Sequence, residues 1–107
     1  LVVNVPFTGQ TGSKPRPALV VSVEGFHRKL LDIIVCPISS RPRYYRKPGP
    51  GDHPLKHWNA VGLRHPSTAR ISNLLAVDKK LIKRVLGTLH VEDWAAIEQG
   101  LREAFGL

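Results

Sequence analysis

Arg16, set in Lys14-Pro15-Arg16-Pro17, is one side chain whose type and setting could do chemistry. Its guanidinium is permanently charged, presents a planar fork of donors, and sits between two prolines that fix the backbone carrying it. Such a group suits stabilisation of a phosphate and does not suit base catalysis. Without further context the segment reads as a surface arginine at the start of a strand. A second cluster, residues 41–47, interleaves Arg41, Arg43, Arg46 and Lys47 with Tyr44 and Tyr45. Positive charge beside aromatic faces holds single-stranded bases, through backbone attraction and stacking of about 1 to 3 kcal/mol per base. Trp58 either extends that platform or sits in the core, and the tyrosines either touch a polyanion or pack beneath the loop; Trp94 is expected in the core.

Imidazole titrates near neutrality, so His53, His57 and His65 are candidates for moving a proton, although each also reads as an exposed loop histidine. His53 and His57 are four apart, the spacing that puts two metal ligands on one helix face. Pro54 between them argues against that helix, no third ligand is evident, and no metal is assigned. The single cysteine, Cys36, forms no internal disulfide and no thiolate zinc cage, so packing must stabilise the fold.

Charge is unevenly distributed along the chain. Through residue 91 there are fifteen Lys and Arg against four Asp and Glu, a net +11, whereas the last sixteen residues hold four acids against Arg102 alone, a net −3. A field of that sign draws polyanions and binds them in a salt-dependent way, which makes nucleic acid the leading partner class. Charge alone is equally accounted for by solubility.

The elements that must position these groups fit one domain, since 107 residues supply one modest core. No apolar stretch reaches the roughly 18 residues of a spanning helix and no leader opens the chain, so a soluble, cytoplasmic protein is expected. The chain contains no methionine, so Leu1 is not a natural start and the first element is expected to be shortened. Strands are predicted at residues 1–7, 18–23 and 30–37, with strand character over 67–77, from their β-branched content. A flexible loop covers 8–13, a polar connector 24–29, and a long surface loop 41–54, where four prolines and two glycines interrupt any central strand. Trp94, Ile97, Leu101 and Ala104 recur at helical spacing in a helix over 91–105, with Glu92, Asp93, Gln99 and Arg102 off that stripe. The apolar residues of 77–89 also fit a 3.6 period. The fold class is mainly β (α+β), a small barrel or roll with a C-terminal helix.

Val5-Pro6-Phe7-Thr8 and Lys14 through Ser22, then Val35-Cys36-Pro37-Ile38-Ser39-Ser40, Val61-Gly62-Leu63, Pro66-Ser67, Asp78 and Leu86-Gly87-Thr88-Leu89 follow one another in an order that resembles the MazF/PemK toxins of toxin–antitoxin modules. The resemblance implies an SH3-like, MazF-type barrel with a C-terminal helix, assembled as a homodimer. It also implies a helical turn at 78–81 followed by a strand over 82–89, against the helical period of that stretch. The implied activity is a metal-independent endoribonuclease that cuts single-stranded RNA at short sequences, needs no cofactor, leaves 2′,3′-cyclic phosphate and 5′-hydroxyl ends, and is neutralised by an antitoxin. Arg16 then matches the catalytic arginine of the family and Ser39 its catalytic Thr or Ser. Lys14, Ser40, Arg41, Arg43, Tyr44, Tyr45 and Arg70 are the expected substrate-binding residues. Two family features are missing: Ser72 stands where some members carry an Asp two residues after the arginine matched by Arg70, and residues 8–13 contain no His. Two other classes remain open. One is a gyrase poison of related fold, whose activity lies in its last residues and is echoed here by Phe105-Gly106-Leu107; the other is a basic nucleic-acid-binding barrel without turnover.

Overall fold

A computed structural model describes residues 1–6 and 15–107. Among them run β1 (Val2–Pro6), β2 (Pro15–Val20), α1 (Glu24–His27), β3 (Asp32–Ser39), α2 (Pro42–Arg46), β4 (Asp52–Pro54), β5 (Thr68–Arg70), β6 (Leu75–Asp78), β7 (Arg84–Gly87) and α3 (Val91–Phe105). Single 3₁₀ turns lie at Asn59–Val61, Ile71–Asn73 and Lys79–Leu81. The loop expected over 8–13 lies outside the described residues.

The strands pair antiparallel in the order β4-β5-β3-β2-β1-β7, with β6 also on β3. One edge of β3 meets β2, while its other edge is shared by β6, against Asp32–Val35, and β5, against Ile38–Ser39. The change of partner falls at Cys36-Pro37, where proline offers no N–H to a ladder. Among the described residues β4 and β7 remain the two ends of the sheet, so the mainly β fold with its C-terminal helix is as expected, but the expected barrel is not closed.

Alternation along the strands makes two cores. Val3, Val5, Ala18, Ile33, Val35 and Val77 pack on one face. Val2, Leu19, Cys36, Ile38, Ala69 and Ile71 pack on the other, where Ile97 of α3, Leu55, Val61 and Leu89 cover them. This is the period-2 signature of a sheet sandwiched between apolar layers.

The helical period of 77–89 is overridden. Asp78 caps the Lys79–Leu81 turn by accepting the Lys80 N–H at 2.9 Å, and β7 then pairs with β1, Asn4 opposite Arg84. The apolar residues of this stretch share no face, since Val77 is 7% exposed and Val85 54%. The long loop over 41–54 also contains order. Pro42 opens α2 at a position where its missing N–H costs nothing, and β4 adds a short edge strand.

Helix α3 spans the expected residues, and Trp94, Ile97 and Leu101 of the expected stripe pack on the core, with Asp93 and Gly100 buried beside them. Asp93, Ile97 and Gly100 are buried, Trp94 and Leu101 half-buried, and Ala104 exposed. The Asp93 carboxylate accepts the Lys56 and His57 N–H groups at 2.8 and 2.9 Å, which ties the helix to the segment after β4. Gly100 lets the helix approach closely, because a Cβ there would collide with the His53 ring and Ile71 Cδ1. Gly106, at φ 69°, ends the helix in a left-handed cap.

Candidate anion-binding site

Two strand ends build the site. In the β2–β3 ladder Ala18 faces Pro37, and extending that register by two residues sets Arg16 opposite Ser39. The ladder stops short of that pair, and a groove of about 410 Å³ opens there, walled by Arg16, Ser39, Ser40, Arg41, Tyr44 and Arg70 over Pro17 and Ile38. Ser39 Oγ accepts the Arg41 N–H at 3.2 Å, turning the chain into α2 and leaving the hydroxyl hydrogen free to donate. Arg16 is exposed, and no carboxylate among the described residues lies within ion-pair distance of it.

Arg70 forms the opposite wall and is held from behind. It faces Asp52 across the β4–β5 pair, and its Nε donates to Asp52 Oδ1 at 2.8 Å. Asp52 Oδ2 accepts the Gly49 N–H at 2.9 Å. Burial alone would raise the Asp52 pKa, but the hydrogen bonds from Arg70 and Gly49, with the charge of Arg70, hold it below the usual carboxylate value. The hydrogen bond to Asp52 pushes Arg70 upward, against its own desolvation. The Arg70 guanidinium lies 3.8 Å over the Tyr44 ring, and that of Arg43 5.4 Å from it. Ser72, which stands where some family members carry an Asp, is exposed, and the acid beside Arg70 is Asp52, a partner that the sequence did not point to. The only sequence trace of Asp52 was its place after Pro48-Gly49-Pro50-Gly51, a turn that aims an Asx side chain back at backbone N–H groups.

Six of the nine expected site residues thus share one groove. Lys14 lies outside the described residues. Arg43 stays beside Tyr44 on the exposed side of α2, and Tyr45 points away, its hydroxyl donating to the Leu55 carbonyl at 3.3 Å. Trp58 packs against the core rather than extending the aromatic platform.

The three histidines separate. His53 lies against Gly100 beneath α3, and His57 stacks on His90 with ring centroids 3.7 Å apart and planes at 18°. His65 lines a second cavity together with Arg16 and Ser40. A third potential ligand for His57 does exist, since His57, His90 and Glu92 bring ligand atoms within 4.8 Å of one another. Stacked rings direct their in-plane lone pairs side by side rather than to one point, and His90 Nδ1 already accepts the Glu92 N–H at 3.1 Å as the cap of α3. Cys36 supplies no nucleophile, because burial pushes its thiol up to about 12.

Fold and groove together define a small β-domain with a basic cleft at the ends of two strands. A profile of the PemK-like, MazF-like toxins of type II toxin–antitoxin systems matches residues 1–105, and the chain belongs to that family. Among solved structures it is similar to the Mycobacterium tuberculosis toxin MazF-mt6, with TM-score 0.76, 22% identity, and 99% of this chain and 96% of that one covered. It is also similar to MazF from Deinococcus radiodurans, at 0.75, 22%, 99% and 93%. A mycobacterial endoribonuclease in complex with its cognate antitoxin gives 0.77, 19%, 99% and 91%. No curated protein matches the sequence.

Proposed function

We propose that this toxin is a metal-independent endoribonuclease that cuts single-stranded RNA at short sequences, using the ribose 2′-hydroxyl as internal nucleophile. The observation that carries this reading is Arg16, exposed at the head of β2 without a carboxylate partner among the described residues and sharing a groove with Ser39. Attack of the 2′-oxygen on phosphorus builds negative charge on the non-bridging oxygens, and a fixed guanidinium with a hydroxyl donor meets that charge without reorganising. As the P–O2′ bond forms the P–O5′ bond breaks, and the proton given up by the 2′-hydroxyl to solvent is matched by one that the leaving 5′-oxygen takes from solvent, giving 2′,3′-cyclic phosphate and 5′-hydroxyl ends. Ser40, Arg41 and Arg70 hold flanking phosphates, Tyr44 offers a cation-backed ring to a base, and Arg43 adds charge beside it; Lys14 keeps its expected part in binding RNA. The protein acts as a homodimer, and an acidic, partly apolar segment of a cognate antitoxin fills the same groove. The similar mycobacterial endoribonuclease, in complex with its cognate antitoxin, supports both parts of this reading.

Purified wild type, Arg16→Ala and Ser39→Ala are incubated with a long RNA in EDTA and the new ends are mapped. Cyclic phosphate and 5′-hydroxyl ends from wild type, lost in Arg16→Ala, are expected. Binding without cuts at any concentration would leave a non-catalytic nucleic-acid module, and poisoning of DNA gyrase in a parallel assay would leave the exposed Phe105 and Leu107 at the chain end as the active part.

A further inference from the structure

Arg16 borders a second groove. On its other side a cavity of about 440 Å³ is walled by Arg16, Arg64, His65 and Arg84 over the apolar side chains of Leu63 and Leu86. We propose that this cavity is a second RNA subsite, holding nucleotides on one flank of the scissile phosphate while the groove of Arg41, Tyr44 and Arg70 holds the other flank. The proposal rests on the ribonuclease reading and adds Arg64 and Arg84 as phosphate contacts, with Leu63 and Leu86 beneath a base or ribose.

The construction of the fold puts these residues together. Asn4 pairs with Pro17 on one side and Arg84 on the other, so Arg84 lies two strands from β2 in the same cross-strand row, about 10 Å away at ordinary strand spacing. The segment carrying Arg64 is brought over β7 by close backbone approach. A Cβ at Gly87 would meet the Val61 carbonyl oxygen at 3.1 Å, and Gly62 turns the chain at φ 89° beside the Leu86 carbonyl. Arg64 and Arg84 therefore line one cavity although twenty residues separate them.

Charge in the cavity is of one sign. No acidic side chain lines either groove, and Arg64 and Arg84 are exposed with no carboxylate among the described residues within ion-pair distance. The acids lie elsewhere: Asp52 holds Arg70 from behind, Glu24 on α1 pairs with Arg28, Asp32 and Asp78 face each other across β3 and β6, and four sit on α3. Unpaired arginines above an apolar floor suit a single strand, which offers phosphates and unstacked bases together. A continuous positive path through Arg16 places the phosphate to be cut in mid-strand.

The test uses RNA oligonucleotides built around a mapped cut, with 2′-deoxyribose at the cleaved position so that binding is read without turnover. Full-length RNA and versions trimmed on the 5′ or the 3′ flank are titrated by fluorescence anisotropy against wild type and the Arg64→Gln/Arg84→Gln double variant at several salt concentrations. Wild type should lose affinity on either trimming. The double variant should bind full-length RNA roughly tenfold or more weakly, with a salt slope shallower by about 1.4, about 0.7 for each lost phosphate contact. It should then lose nothing further when one particular flank is trimmed, while trimming the other flank weakens both proteins alike. Both arginines are exposed, so an unchanged melting temperature is the check on folding. Equal affinity of both proteins for full-length RNA overturns the subsite, and so does full loss in the variant on trimming either flank. An effect of the double variant on binding of an acidic peptide but not of RNA also overturns it. Absence of any cut by wild type in the mapping step overturns the ribonuclease reading itself, and the subsite with it.

Discussion

At the scale of single residues, the site is a set of arginines in different states. Arg16 has no carboxylate partner among the described residues, and its replacement by alanine should lower the cleavage rate by about 10² to 10³, as loss of a preorganised transition-state donor does elsewhere. Ser39→Ala should lower it less, and Ser39→Thr should restore it, since Thr keeps the hydroxyl; single-turnover rates on one RNA check both. Arg70 is committed to Asp52 and to the Tyr44 ring, so it shapes a wall. The Asp52 side chain is 4% exposed and its pKa is held below that of the unfolded chain. The stability it contributes is present in full above about pH 4, the unfolded carboxylate value, and is lost as pH falls through the lower folded value. Urea unfolding of wild type and Asp52→Asn should therefore show a difference at pH 7 that narrows toward pH 2; a constant difference would deny the ion pair its role.

At the scale of elements, α3 is fastened to the sheet by two features that hydrophobic periodicity does not register. Asp93 is a buried carboxylate whose two backbone donors lose their partner if it is removed. Asp93→Ala is expected to destabilise by about 3 kcal/mol, whereas an exposed control such as Glu98→Ala should stay within about 0.5. Gly100→Ala gains about 1 kcal/mol in helix propensity but forces His53 and Ile71 aside, so the net change should be destabilising by about 1 kcal/mol or more. Chemical denaturation of both variants measures these differences. Periodicity placed α3 correctly because fifteen residues carry enough turns to show a 3.6 repeat. It failed over 77–89 because a short strand with β-branched residues imitates a helical stripe, and pairing with β1 decides the outcome.

At the scale of the whole molecule, Arg16, Arg41, Arg64, Arg70 and Arg84 line the two grooves at the strand ends, while every acid but Asp52, which is paired with Arg70, lies on α1, on α3 or at the far end of β3 and β6. No helix among the described residues is long and apolar enough to cross a membrane. Binding of single-stranded RNA should therefore weaken steeply with salt, and an acidic antitoxin segment should displace it. Anisotropy competition between labelled RNA and such a peptide checks this, and formation of a ternary complex would exclude a shared groove. Helix α3 contributes two of the exposed apolar groups, Val91 and Phe105, with Leu107 exposed just beyond its end, and Val91 lines a cavity with Leu1, Val23 and Trp94.

Sequence by itself determined the class of fold, the span of α3, the excess of positive charge and the identity of Arg16 and Ser39 as a candidate pair, because local propensity, composition and short motifs are written along the chain. Only the tertiary structure decided that Asp52 faces Arg70, that Tyr45 and Trp58 turn inward, and that Arg64 and Arg84 wall one cavity beside Arg16. Strand register and close approach at glycine set those pairings, and both join residues far apart in sequence, where no local pattern records the contact.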